Sequence, residues 1–262
     1  GNPDLPNFAK IKELITLGKI KPYISEASLS LEALSHSDRI DKFIREWATK
    51  TRGIELPEPS PVRVNIVEQA FALGMKALHV PRIALGSFIE ISEKDWAPDA
   101  NYPAKERQER HSLFARNFAH IGPCQLKDLG ASLVATHNID TSHVINFPGW
   151  PKPEELIWSK GIIAEYDNPK QFSSTKKFTK HIREIIAEWS DLDIVSSHYA
   201  YGLDLFCTND QSKATGTKGL FHGNSQQSLL SKYNIRFVLP SQLIEIIEKN
   251  GKYIVLFNGK IV

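Results

Sequence analysis

The chain has 262 residues, 41% of them hydrophobic and 24% charged, which is enough apolar material for a core and excludes ordinary disorder. With 32 Lys and Arg against 30 Asp and Glu the net charge is +2, so strong global attraction to nucleic acid is not indicated, although a local patch stays open. Two cysteines exclude a disulfide scaffold. No apolar run approaches the ~20 residues of a membrane span, and with no signal peptide the expectation is a cytoplasmic, reducing setting without a membrane partner.

Gly1 to Asn7 reads as a turn. From Phe8 to Leu17 the apolar residues Phe8, Ile11, Leu14 and Ile15 recur at helical spacing, and Gly18 stops the run. Lys21 to Ser25 is a short strand that leads into a second helix, EASLSLEAL, carrying Glu32. Ser37 caps a third helix with Ile40, Phe43, Ile44 and Trp47 on its buried face. Composition shifts after Thr51, where LPEPSPVRVNIV holds three prolines and then alternates like a strand. VEQAFALGMKAL reads as a helix, IALGSFIEIS as a strand and AKERQERHSLFARNFAHIG as a longer polar helix. On that last helix Lys105, Arg107, Arg110 and Arg116 are interleaved with Glu106 and Glu109, the pattern of a solvated face.

Ser173 or Ser174 opens the next helix, with Phe178, Ile182, Ile185, Ile186 and Trp189 at helical spacing. The following run, SDLDIVSSHYAYGLDLFCTND, contains a helix closed by Gly202, a short apolar strand and the ending Thr208-Asn209-Asp210. SQQSLLSKY is a helix, NIRFVLP a buried strand, and Pro240-Ser241 starts a further helix. The end, KYIVLFNGKIV, carries a hairpin signature about Asn258-Gly259. Helix and strand thus alternate at both ends of the chain. That predicts an α/β fold, a three-layer sandwich with a mainly parallel central sheet. It is built from residues 1–50 and 171–262, with 51–170 as an inserted mixed α/β accessory region holding a small core of its own. A sheet of this kind would open with a strand ahead of the Phe8 helix, and none is found there.

In open parallel sheets ligands sit at the carboxyl ends of the strands. Asp191, beside a helix start, and Asp210, just past a strand, can therefore reach one edge. Carboxylates gathered without a fixed cation repel one another, and a divalent ion is the natural partner. Each acid also has a plain structural reading: Glu32 as a solvated surface acid, Asp191 as an N-cap, Asp193 as an exposed first-turn acid, Thr208 to Asp210 as a turn. His198 reads as a packed residue of its helix and Cys207 as a buried thiol. The sequence has no HExxH, Cys-x-x-Cys, Gly-x-Ser-x-Gly or phosphate-loop pattern, so zinc, acyl-transfer and P-loop chemistry lack support. Lys176, Lys177, Lys180 and Arg183 form a cationic ridge leading toward Asp191, suited to phosphates and to salt-dependent binding.

The succession of helix, strand with Ile24-Ser25, Glu32, then Asp191 through Ile194 and Gly202 to Thr208-Asn209-Asp210, resembles the PIN-like nuclease domains. So does the close, Asn234 to Pro240 followed by an amphipathic helix. The likeness spans about Phe8 to Leu34 and Phe178 to Ile247. It implies a doubly wound sheet whose carboxyl edge gathers acids around one or two Mg2+ or Mn2+ ions and cleaves RNA, less often DNA. Glu32 then matches the second acid, Asp191 the third and Asp210 the fourth, all metal ligands, with Thr208 as the hydroxyl before the last acid. The first acid belongs at the end of an opening strand, near which Asp4 is the only carboxylate. The resemblance therefore leads to an endoribonuclease. The alternative is a catalytically inactive PIN-like module binding RNA or a protein partner, and a homodimer stays open. A remoter reading is a plain α/β protein whose acids are caps and surface charges.

Overall fold

The computed structural model describes residues 5–29, 59, 61–79, 89–98, 100–118, 190–210, 220, 221 and 223–257. First come α1 (Leu5–Thr16) and β1 (Ile20–Ser25). Gly18 ends the α1 region at φ 65°, a left-handed value that glycine adopts without a Cβ penalty, and its N–H donates to the Ile15 carbonyl. The short helix α2 (Glu26–Leu29) follows β1 directly. Next are α3 (Pro61–Ala72), β2 (Lys76–Leu78), a 3-10 turn at Glu93–Asp95 and α4 (Ala104–Phe118). Residues 190–201 form α5. The remaining elements are β3 (Leu205–Cys207), α6 (Gly223–Tyr233), β4 (Phe237–Val238), α7 (Pro240–Asn250) and β5 (Tyr253–Phe257).

The five strands form one all-parallel sheet in the order β2-β1-β5-β3-β4, so the α/β expectation holds. The middle position belongs to the last strand of the described chain. β5 is suited to it because YIVLF is apolar throughout and serves both faces. Ile254 and Leu256 pack with Tyr23 and Phe206, while Val255 and Phe257 pack with Ile20, Leu205 and Cys207. Strands covered on both sides read as continuous apolar runs, and each fully buried Val or Leu contributes about 1.5–3 kcal/mol. One face is covered by α1 and α7 through Ile11, Leu14, Leu243 and Ile247. The other is covered by α4, α5 and α6 through Phe114, Leu192, Val195 and Leu229. Helices on both faces make three layers.

Two expectations fail. VRVNIV is the body of α3, not a strand. Pro61 stands at the first helical position, where its missing N–H is not needed, and the buried residues Val67 and Ala70 keep helical spacing while Val62 is exposed. The helix expected through Leu78 stops at Ala72, turns at Gly74 and gives way to β2. The turn and returning arm of the terminal hairpin, from Asn258 on, lie outside the described residues. Val255, Leu256 and Phe257 have β1 on one side and β3 on the other, which leaves no edge for a returning arm. Of the strand expected over IALGSFIEIS, residues 89–92 are described and are not in a strand.

The described residues between 51 and 170, where the sequence suggests an insertion with its own core, lend β2 to the common sheet. They also share its cores: Phe114 and Ala97 join Leu192 and Phe206, and Val67 and Ala77 join Ile24. The helices expected beyond Leu29, over 37–50 and over 173–189 lie outside the described residues.

Candidate functional site

Register fixes the carboxyl edge of the sheet. Ile24 and Cys207 both lie opposite Phe257, the last residue of β5. The residues that follow them, Ser25 and Thr208, therefore stand level on either side of the central strand's end. Ser25 is fully buried and its Oγ accepts the Ala27 N–H at 3.3 Å, which turns the chain into α2. Thr208 is buried too, and its Oγ1 accepts the Asp210 N–H at 3.0 Å. This hydroxyl-based turn carries the chain over the edge and holds Asp210 beside it. Thr208 N–H in turn donates to the Val238 carbonyl at 3.0 Å, tying the turn to β4.

Helix α5 runs against the strands. Ser197 Oγ lies 3.3 Å from Ser25 Oγ at the carboxyl end of β1, and it donates to the Asp193 carbonyl at 2.9 Å. The other end of the helix, Tyr199 to Gly202, leads directly into the start of β3. Residues Asp193 and Asp191, which precede Ser197 along α5, therefore lie toward the carboxyl-edge side of the sheet, where Ser25, Thr208 and Asp210 stand.

Two readings of these acids need correction. Ser190 is already helical, so Asp191 lies within the helix and does not cap it. Asp193 is not an exposed first-turn acid but is buried, at 4% exposure. It sits on a helix that is buried nearly all round, through Leu192, Ile194, Val195 and Ala200. Asp191 and Asp210 are half-buried.

A further acid at this edge escaped sequence reading. Glu26 immediately follows the last residue of β1, its side chain is 15% exposed, and its Oε2 lies 3.8 Å from His79 Nδ1 just past β2. His79 stacks on Trp96 with ring centres 3.8 Å apart. The signal was available: Glu26 directly follows Ser25 at the strand's end. Cys207, free and buried as expected, lies one residue before Thr208. Burial pushes its thiol up to about 12, which makes it inert near neutrality.

Glu32 and the cationic ridge of Lys176, Lys177, Lys180 and Arg183 lie outside the described residues, as does Asp4. Among the described residues no group of three His, Cys, Asp or Glu side chains is arranged to hold a metal ion, and no helix is long and apolar enough to cross a membrane. No family model, curated protein or solved structure matches the chain.

Proposed function

We propose that the chain is a divalent-metal-dependent phosphodiester hydrolase of PIN-like type, an endoribonuclease, working at the carboxyl edge of its sheet. The observation that supports this reading is the shared edge: the end of β1 with Ser25 and Glu26 and the end of β3 with Thr208 and Asp210, toward which the part of α5 carrying Asp191 points. The donors available there are carboxylate and hydroxyl oxygens, the hard ligands that Mg2+ and Mn2+ prefer. Asp191 and Asp210, with Glu32, are the proposed metal ligands, and Glu26 is a further acid within the same edge.

A bound Mg2+ or Mn2+ supplies charge neutralisation at the attacked phosphate and acidifies a water. The residues do the rest. The Thr208 hydroxyl, by accepting the Asp210 N–H, fixes the backbone from which the Asp210 carboxylate is presented. The Ser25–Ser197 contact ties α5, the helix that carries Asp191, to the end of β1. Lys176, Lys177, Lys180 and Arg183 would meet the RNA backbone, with affinity falling as salt rises. The test is cleavage of single-stranded and structured RNA with added Mg2+ or Mn2+, expected in the parent and lost in Asp210→Asn. A variant that cut as fast as the parent would defeat the assignment.

The alternative is an inactive PIN-like module that binds RNA or a protein partner. It is favoured by the lack of a three-member metal-holding group among the described residues. The two part on a melting curve: a resident cation raises the melting temperature by mass action, and a module without a metal site does not respond to millimolar Mn2+ or Mg2+.

A further inference from the structure

The opposite, amino edge of the sheet is built quite differently. A cleft of about 640 Å³ opens there, reaching the starts of β3 and β5 at Leu205 and Tyr253 and the turn between α6 and β4. Its volume falls within the ~300–1,000 Å³ of sites that seat small molecules. Aromatic rings and cations alternate along it. The Arg110 guanidinium lies 4.2 Å from the ring centre of Tyr102 and 3.9 Å from that of Tyr199. Its Nε and Nη2 both donate to the Tyr199 carbonyl, at 2.9 and 2.7 Å. Tyr199 meets Tyr233 edge-on at 5.1 Å, and Tyr233 is pinned by the Asn117 amide, which donates to its hydroxyl at 2.8 Å. This wall is preorganised, so little ordering remains to be done when a ligand arrives.

The lining also carries exposed charge. Lys232 and Arg236 are exposed, and neither has an ion-pair partner among the described residues. The one lining carboxylate, Asp204, accepts the Ile254 N–H at 2.8 Å. Between the two cations Asn234 holds a positive φ of 56°, a conformation Asn tolerates better than most residues, and it is exposed at the lip. His198 also lines it, buried, with neither ring nitrogen hydrogen-bonded among the described residues. A buried polar group of this kind calls for an explanation, and a polar ligand in the cleft would supply one.

We infer that this cleft binds a short stretch of single-stranded nucleic acid, with bases stacked on its tyrosine rings and phosphates met by Lys232 and Arg236. Aromatic faces take any base, and neighbouring cations follow the backbone, the combination by which single strands are held with little sequence preference. The cleft lies across the sheet from the acids of the carboxyl edge, so the inference stands without the hydrolase reading.

Fluorescence anisotropy with labelled oligouridylate and oligothymidylate, in EDTA so that no metal-dependent cleavage can occur, tests it. The parent is expected to bind, with affinity falling as salt rises. The double variant Lys232→Glu/Arg236→Glu should weaken binding by about tenfold or more and flatten the salt dependence. Lys12→Glu, an exposed change on α1, should leave both close to the parent. Binding of both oligomers, or of oligouridylate alone, supports the site and tells whether the 2′-hydroxyl is read. Failure of the parent to bind either oligomer, or equal binding by the double variant, overturns it and leaves the cleft to a protein partner. Should the double variant melt lower than the parent, the milder Lys232→Gln/Arg236→Gln pair replaces it under the same expectations.

Discussion

The two edges of the sheet are made of different materials. At the carboxyl edge the polar groups are small and packed: Ser25, Ser197 and Thr208 are buried, and their hydroxyls are bound to backbone or to one another. At the amino edge they are large and open, with tyrosine rings, Arg110 and exposed Lys232 and Arg236 around a cleft. Packed hydroxyl contacts hold the backbone at Asp210 and tie α5, which carries Asp191, to the end of β1. Stacked rings and exposed cations would suit a ligand of variable shape. If the carboxyl edge carries the proposed chemistry and the amino edge the proposed binding, perturbing them should produce separable effects.

The largest separation is expected from Asp210→Asn. RNA cleavage should fall by about a hundredfold or more, equivalent to ~2.7 kcal/mol of barrier, while oligonucleotide binding in EDTA and the melting temperature stay near the parent's. Equal loss of cleavage and binding would mean that the edges do not work separately. Next is Gly202→Ala at the amino edge. Gly202 has φ 64°, and an added Cβ would run into the ring of Tyr102. The left-handed conformation alone costs about 1–2 kcal/mol, and the ring must move as well. A fall in melting temperature of at least ~2–4 °C follows, and oligonucleotide binding should drop because Tyr102 also stacks on Arg110. Unchanged melting and binding would show that Tyr102 has somewhere else to go.

Much of the scaffold was legible because it rests on local pattern. The stripe of Ile11, Leu14 and Ile15, the glycine stops at Gly18 and Gly202, and Pro240 at the head of α7 are signals confined to a few neighbouring residues. Other features required knowledge of distant partners. Asn258-Gly259 is a strong local turn signal, yet β5 is claimed on both sides by β1 and β3, more than 200 and about 50 residues away along the chain. Arg107 and Arg110 resemble a solvated face in sequence. In the fold they lie on the inner side of α4 with His111 and Phe114, Arg107 over the ring of Tyr201 at 4.5 Å. Arginine can serve there because its stem packs and its plane stacks. The place of Thr208 and Asp210 at the end of β3 followed from the rule for strand ends, whereas the burial of Asp193 and the place of Glu26 depended on how α5 and α2 dock.

A pH experiment on His198, which lines the cleft, sharpens the contrast. Burial lowers His198 to about 3, below the ~6.5 of an unfolded histidine. Between those values the unfolded chain binds a proton that the folded chain does not. Stability contributed by this residue is therefore complete above about pH 6.5 and is lost as pH falls toward 3, with a slope of up to about 1.4 kcal/mol per pH unit. Unfolding free energies from urea titration at pH 7 and pH 5.5 should differ by about 1 kcal/mol more in the parent than in His198→Leu. Identical pH profiles for the two would mean that His198 gains a partner and a proton in solution.

The smallest effect is expected at the carboxyl edge, from Ser197→Ala. The hydroxyl donates to the Asp193 carbonyl within its own helix and lies 3.3 Å from Ser25 Oγ. The Asp193 carbonyl belongs to the helical ladder in any case, so its loss there is minor. Ser25 Oγ keeps the Ala27 N–H but is fully buried, and removing a neighbour from a buried hydroxyl costs about 1 kcal/mol. Stability should therefore fall by only that amount. If the contact does more than fill space, however, cleavage should fall further than stability does, because α5 would no longer hold Asp191 in register with the end of β1. A Ser197→Thr variant keeps the hydroxyl and separates the two roles: restored cleavage at unchanged stability points to positioning. A loss of cleavage that merely tracks melting temperature in both variants would reduce the Ser25–Ser197 contact to packing.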